Sequence, residues 1–306
     1  MSLRPETEFQ QPVSASLPRE LLRLLRPYQW VKNGFVFVGL LFSDASNDWK
    51  LRSSVVLAAA GFCLVSSCVY VLNDMLDRKA DRAHPAKRNR PLASGTVSMR
   101  LAFALALACG LAGLALGATV STAVVAILSA YLLLNLAYSA GLKNIVILDV
   151  FIIAAGFMLR IFAGTWGVDI APSQWLLLCG LLLTIFLGFA KRRAELMTSE
   201  GDGAGGVTQR PVLYDYSPAL LDSMMAISAA GVIVSYSLYT VSPDTIALHH
   251  TDKLIYTLPF VLYGIFRYIF LLHRRGGEDP AWTLLTDAHL LVAGALWLAV
   301  TVWLIR

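Results

Sequence analysis

Apolar residues run through this chain in long blocks, separated by short polar connections. Nine blocks approach the roughly 20 residues that cross a bilayer: 28–43, 54–76, 100–117, 119–139, 145–166, 174–190, 219–240, 254–272 and 287–305. The first is the weakest, because its continuous apolar run begins only at Phe35. Just before it, residues 18–32 alternate leucine and arginine at helical spacing. This pattern predicts an amphipathic segment lying in the membrane interface, with an ordinary helix start as the alternative. The pattern as a whole predicts an all-α integral membrane protein: nine transmembrane helices in one domain, residues 20–306, around a polar cavity facing the cytoplasm. Residues 1–19 are polar, with no apolar stretch before a small-residue cleavage site. They read as a disordered cytoplasmic arm and not as a cleavable signal.

Composition agrees with the pattern and narrows the class. Hydrophobic residues make up 57%, charged residues 15%, and mean hydropathy is +0.64, which excludes a soluble globular enzyme and a disordered chain. Cys63, Cys68, Cys109 and Cys179 sit in apolar runs without metal-ligand spacing and read as small buried thiols. The net charge of +5 points toward anionic partners, either lipid head groups or phosphorylated substrates. Its distribution is more informative. With the N-terminus placed in the cytoplasm, nineteen of the 25 basic residues fall on the inner side and four on the outer. The positive-inside rule therefore predicts that orientation, with the C-terminus outside after nine spans. The long charged loops 77–99, 191–218 and 273–286 are all on the inner face, which is where any chemistry belongs. Within them, Ser199–Val207 is glycine-rich and reads as a hinge or lid, or equally as a plain insertion.

The strongest chemical signal is NDMLDRKADRAHPAKRNRP, residues 73–91. At about 100° per residue, Asn73, Asp74, Asp77 and Asp81 fall in one ~100° sector of a helix. Three carboxylates and an amide at the mouth of a spanning helix repel one another unless a hard dication neutralises them. Mg²⁺ takes carboxylate oxygens together with substrate phosphate oxygens. His84, Lys87, Arg88 and Arg90 follow at once, in a loop stiffened by Pro85 and Pro91, and cations of this kind recognise phosphate.

Three further constellations lie near the same face. Asp149 and Arg160 are eleven residues apart, so they share a helix face inside a span; they line a functional cavity or form a structural ion pair. Lys143 precedes them, within reach of a phosphate. Lys191, Arg192, Arg193 and Glu195 end the sixth predicted span, where the cations also complement the helix dipole and Lys191–Glu195 has ion-pair spacing. Arg210, Tyr214 and Tyr216 follow across the glycine-rich stretch. Arg267 lies about two turns inside the next membrane boundary, placed either to bind phosphate or to snorkel, with Asp287 at the last span. No serine–histidine–aspartate arrangement and no Walker or dinucleotide glycine motif is present, and no nucleic-acid partner is expected.

NDMLDRKADRAHPAKRNRP resembles the first Asp-rich motif of the UbiA superfamily of intramembrane prenyltransferases. YSAGLK with Asp149 is similar to that superfamily's tyrosine–lysine signature, and the likeness covers roughly residues 20–306. Where aromatic prenyltransferases carry a second Asp-rich motif, this chain has KRRAEL, with Glu195 its one acid. That change, the opening LLRPYQWVKN, FRYIFLLHRRGGEDP and Asp287 resemble the decaprenyl-phosphate phosphoribosyltransferase branch. The resemblance implies a bacterial inner-membrane enzyme that transfers 5-phosphoribose from phosphoribosyl diphosphate (PRPP) to a polyprenyl phosphate, toward a lipid-linked arabinose donor for the cell wall. It implies Mg²⁺ on Asn73, Asp77 and Asp81, the catalytic set. It also implies substrate contacts from Asp74, Lys32, His84, Lys87, Arg90, Tyr138, Lys143, Asp149, Arg160, Lys191, Arg192, Glu195, Arg210 and Arg267. The inventory is consistent: a diphosphate, a 5-phosphate and an acceptor monophosphate need more cations and fewer acids than prenyl transfer does. The alternatives are an aromatic prenyltransferase using polyprenyl diphosphate and a transporter of a phosphorylated solute. A transporter needs polar groups through both membrane halves, and here the outer half is almost uncharged. The sequence is compatible with a homo-oligomer and leaves its order open.

Overall fold

The computed structural model describes residues 16–43, 48–84, 87–201, 211–275, 283 and 286–305. In those residues the chain is helical throughout: α1 (Leu17–Leu25), a 3-10 segment (Pro27–Phe37), α2 (Val38–Leu41), α3 (Trp49–Leu76), α4 (Arg78–Ala83), α5 (Pro91–Ser94), α6 (Met99–Val120) and α7 (Thr122–Ala140). There follow α8 (Leu148–Ala163), α9 (Gln174–Gly201), α10 (Pro218–Val241), α11 (Pro243–His249), α12 (Leu258–Arg275) and α13 (Ala288–Ile305). Eight of these helices are long and apolar enough to cross a membrane, and the protein is an integral membrane protein. Residues 1–15 and Arg210 lie outside the described residues, as does most of the predicted hinge Ser199–Val207.

The first predicted span takes an unusual form. Pro27 fixes φ and supplies no N–H, and the eleven residues Pro27–Phe37 wind as a 3-10 helix before one α turn. At about 2.0 Å per residue, plus the α turn, this short segment rises roughly 28 Å, close to the apolar thickness of a bilayer. A period of three puts Trp30, Asn33 and Val36 on one stripe. Trp30 Nε1 donates to Ser67 Oγ (3.0 Å) and Asn33 Nδ2 to Ser66 Oγ (3.4 Å), both on α3. Val36 is held against the end of α8, where a Cβ on Gly164 would lie 1.7 Å from the Val36 carbonyl oxygen. No residue but glycine fits there.

Two of the bundle's hydrophobic clusters meet α8. α3, α7, the end of α8 and the 3-10 segment enclose Phe62, Val65, Leu128 and Tyr131. α9, α10, α12 and the start of α8 enclose Val150, Phe186, Met225 and Tyr268. Small residues also let α6 approach α3: a Cβ on Gly113 of α6 would lie 2.7 Å from Val65 and 2.9 Å from the Gly61 carbonyl of α3. Side-chain caps start the helices where the sequence changes from polar to apolar. Ser98 receives the Leu101 N–H, Ser121 that of Val124, and Ser217, just before Pro218, that of Leu220.

Candidate functional site

α3 runs out of its apolar section into the acidic stripe. Asp77 closes α3 and opens α4 (φ −84°, ψ 1°), and the turn continues through Asp77 N–H to Asn73 O (2.9 Å) and Asp81 N–H to Asp77 O (2.8 Å). Asn73, Asp74, Asp77 and Asp81 therefore keep a common sector, and within it they divide. Asn73 and Asp77 lie at one margin. Asn73 Oδ1 accepts from Ser139 at the end of α7 (2.6 Å), and Lys143 Nζ, on the turn Leu142–Asn144, is 3.4 Å from Asp77 Oδ1. Asp74 and Asp81 lie at the other. Asp74 Oδ1 receives both Arg26 (2.5 Å) and Arg90 (3.2 Å), and the same Arg90 Nη1 reaches Asp81 Oδ2 (2.8 Å). The Asp77 carboxylate is 45% exposed, against 5–6% for those of Asp74 and Asp81.

Oxygens of Asn73 and Asp77, one turn apart at the open margin, are hard donors of the kind Mg²⁺ takes with phosphate or water completing the shell. Asp81 stands on the next turn and is held by Arg90. Among the described residues no three histidine, cysteine or carboxylate side chains converge, so a cation here would depend on Asn73 and on oxygens from outside the protein.

Arg26 was not singled out in the sequence, although its position before Pro27 disfavours continued helix and marks an elbow. It adopts a left-handed conformation (φ 53°) between α1 and the 3-10 segment. Burial opposes its charge, but Asp74 outweighs burial and holds the guanidinium above its ordinary pKa.

The second constellation is buried. α9 continues to Gly201, eight residues beyond Arg193, so these cations occupy the helix interior and do not cap its dipole. Arg192 is fully buried; its Nε lies 3.2 Å from Asp149 Oδ2 and its Nη1 bonds Glu195. Arg193 pairs with Asp222 of α10, and the His273 ring is 3.4 Å from the same carboxylate. Tyr216 completes the set: its hydroxyl donates to Asp149 Oδ1 (2.8 Å) and accepts from the Ile147 N–H (2.6 Å). Burial pushes the Tyr216 phenol up, so it stays a donor at neutral pH. Ile147 is a β-branched residue at φ 69°, ψ −47°, in a γ-turn closed by Leu148 N–H to Val146 O (2.7 Å). Such a conformation costs on the order of 1–3 kcal/mol and needs an anchor like Tyr216.

Asp149 and Arg160 are both buried on α8, yet they serve different networks. Arg160 lies twelve residues deeper than Leu148 and donates to Asn33 Oδ1 (2.8 Å), Gly156 O (2.8 Å) and the Tyr131 hydroxyl (3.0 Å). The rings of Tyr131, Phe157 and Phe62 lie 4.7, 5.2 and 5.4 Å from its guanidinium carbon. It pins the 3-10 segment to α8, remote from the acidic stripe, and Asn33 is the hub the sequence reading missed. Arg267 forms an ion pair with Asp287 (2.9 Å). Lys32 lies on the 3-10 segment, His84 just past α4, Lys87 exposed in the α4–α5 loop, Tyr138 at the end of α7, and Lys191 one residue before Arg192.

The described residues thus form an all-helical membrane bundle in which an acidic helix mouth faces Lys143, and its family and relatives make it an intramembrane transferase. The chain belongs to the UbiA prenyltransferase family, whose pattern matches residues 34–294. It is 33% identical over 287 residues to a decaprenyl-phosphate phosphoribosyltransferase of Corynebacterium glutamicum, covering 90% of this chain and 84% of that one. It is 36% identical over 228 residues to the Mycolicibacterium smegmatis protein of the same name, covering 73% of this chain and 71% of that one. The fold is also similar to a UbiA homolog from Archaeoglobus fulgidus solved with DMAPP and Mg²⁺, with a TM-score of 0.70 and 20% identity over 94% of this chain and 99% of that one.

Proposed function

We propose that this protein transfers 5-phosphoribose from PRPP to decaprenyl phosphate, releasing diphosphate and forming decaprenylphosphoryl-5-phosphoribose, a precursor of a lipid-linked arabinose donor for the cell wall. The observation that carries the reading is the likeness, over nine-tenths of the chain, to a relative bearing that activity as its name. Asn73, Asp77 and Asp81 would hold Mg²⁺, which when bound supplies charge to stabilise the leaving diphosphate. Lys143, beside Asp77 at the open margin, would contact phosphate oxygens, and the exposed Lys87 of the α4–α5 loop would add a second cation. The bond from ribose C1 to the diphosphate oxygen breaks and its electron pair leaves with diphosphate. An oxygen of the lipid phosphate forms the new bond at the opposite face of C1, converting an α donor into a β product. That oxygen is already anionic, so no strong general base is required. Arg192 and Arg193 are ion-paired and almost fully buried, whereas the ion-paired Lys143 and Arg90 keep a quarter or more of their side chains exposed, which favours Lys143, Lys87 and Arg90 for phosphate recognition. This reading places the protein in a bacterial inner membrane with the charged face and N-terminus in the cytoplasm.

The test is mass spectrometry of the lipid extract after incubating purified protein with PRPP, Mg²⁺ and decaprenyl phosphate. The reading expects a lipid heavier by one phosphoribosyl unit, absent when EDTA replaces Mg²⁺. A product formed only from polyprenyl diphosphate and an aromatic acid would replace it with prenyl transfer. Substrate-dependent flux in vesicles with no covalent product would replace it with transport.

A further inference from the structure

Beside the acidic stripe, on the side away from Lys143, α1 and the end of α3 enclose a cavity of about 460 Å³. Four guanidinium groups line it, those of Arg19, Arg23, Arg26 and Arg90, together with one carboxylate, Asp74. Arg23 is paired with Glu20, while Arg26 and Arg90 share the single oxygen Asp74 Oδ1. The cations of this pocket therefore outnumber the carboxylates that touch them, Glu20, Asp74 and Asp81. Forked guanidiniums crowded around one carboxylate oxygen are in deficit of acceptors, which a phosphate with its several oxygens supplies.

The walls indicate where that phosphate comes from. Leu22 and Tyr28 complete the lining and are 57% and 62% exposed. They continue an apolar strip along α1 and the 3-10 segment, with Leu17, Trp30 and Val31 also exposed. The other apolar residues of α1, Leu21, Leu24 and Leu25, pack against α3 and α6, so the exposed strip is the apolar surface left for lipid. The pocket thus joins an exposed apolar surface to a cluster of arginines.

We infer that this pocket receives the phosphate monoester of the membrane-borne acceptor, and that Arg90 links it to the acidic stripe. Arg90 now bridges Asp74 and Asp81. A phosphate seated among Arg23, Arg26 and Arg90 competes for the Arg90 fork and frees the Asp81 carboxylate for the cation held by Asn73 and Asp77. Acceptor binding then completes the donor set on the neighbouring margin. This inference rests on the transferase reading for the identity of the acceptor, whereas the pocket itself is testable without turnover.

The experiment uses the full chain in nanodiscs, with farnesyl phosphate as a short prenyl monophosphate probe and ribose 5-phosphate as the soluble comparison. Titration calorimetry of the double variant Arg19→Gln/Arg23→Gln is expected to show farnesyl phosphate affinity falling about tenfold or more, the scale of a lost charge-assisted hydrogen bond. Ribose 5-phosphate and PRPP affinities should stay within about twofold. A second measurement follows Mn²⁺ binding: farnesyl phosphate is expected to tighten it in the native protein and not in Arg90→Lys. Unchanged farnesyl phosphate affinity in the double variant, or an equal loss for ribose 5-phosphate, overturns the pocket. Farnesyl phosphate binding that depends on these arginines, without any product from PRPP, keeps the pocket and removes the transferase reading. Turnover with an unaltered acceptor KM in the double variant does the reverse.

Discussion

Two 28-residue helices, α3 and α9, each carry a charged cluster where they leave their apolar section. On α3 the cluster is acidic and its counter-charges come from other elements: Arg26, Arg90 and Lys143. On α9 it is basic, and Asp149 and Asp222 come from α8 and α10. The arrangement is mirrored in sign, but not in access. The Asp77 carboxylate is 45% exposed, whereas Arg192 and Asp149 are both at 0%. The buried pair is closed to solvent, and within it Arg192 Nη2 has no hydrogen-bond partner among the described residues. The half-exposed Asp77 carboxylate meets a single lysine at 3.4 Å. The α3 end is thus open to a ligand from solvent, and the α9 end is not.

The largest effect that tests this contrast is on catalysis. Asp77→Ala is expected to lower turnover by about 10²-fold or more, in line with removing one preorganised electrostatic group, while the thermal unfolding midpoint in detergent stays close to that of the native protein. Next comes stability at the other helix. Arg192→Ala leaves Asp149 buried and unpaired, and should destabilise the bundle by about 3–5 kcal/mol. The double variant Asp149→Leu/Arg192→Leu should recover most of that loss, because apolar pairs of similar size often replace buried ion pairs at little cost. A double variant no more stable than the single one would mean that the charges do more than hold each other.

Smaller effects refine the picture. Tyr216→Phe removes the donor to Asp149 and the acceptor for the strained Ile147 N–H, for an expected loss of about 1–2 kcal/mol. If the turn at 147 positions Lys143, this variant also raises the PRPP KM more than it lowers kcat, and hydrogen exchange at Ile147 should quicken. The smallest effect is at the last span, where Asp287→Asn removes the charge that Arg267 faces at 2.9 Å and should lower the thermal unfolding midpoint in detergent slightly.

Much of this was legible in the sequence. The apolar periodicity located the eight long spans, and the 100° sector of Asn73, Asp74, Asp77 and Asp81 survives in the structure because a near-continuous helix carries it. What periodicity does not contain is which partner each charge meets. Asp149 and Arg160 share a helix face yet answer to Arg192 and to Asn33, because long-range contacts decide the partners and these depend on how α1, α9 and the 3-10 segment pack. The 3-10 segment itself hides from a helical period of 3.6: its stripe of Trp30, Asn33 and Val36 repeats every three residues. Arg26 escaped notice for a similar reason, since an elbow residue belongs to neither helix pattern.

The most direct test follows label from ribose-labelled PRPP into the lipid extract, with native protein and Asp77→Ala assayed in parallel in the presence of Mg²⁺ and decaprenyl phosphate. The account predicts label in decaprenylphosphoryl-5-phosphoribose for the native protein and about a hundredfold less for a variant that still folds. Undiminished transfer by Asp77→Ala, or no label in lipid from a native protein that instead consumes polyprenyl diphosphate, would contradict it.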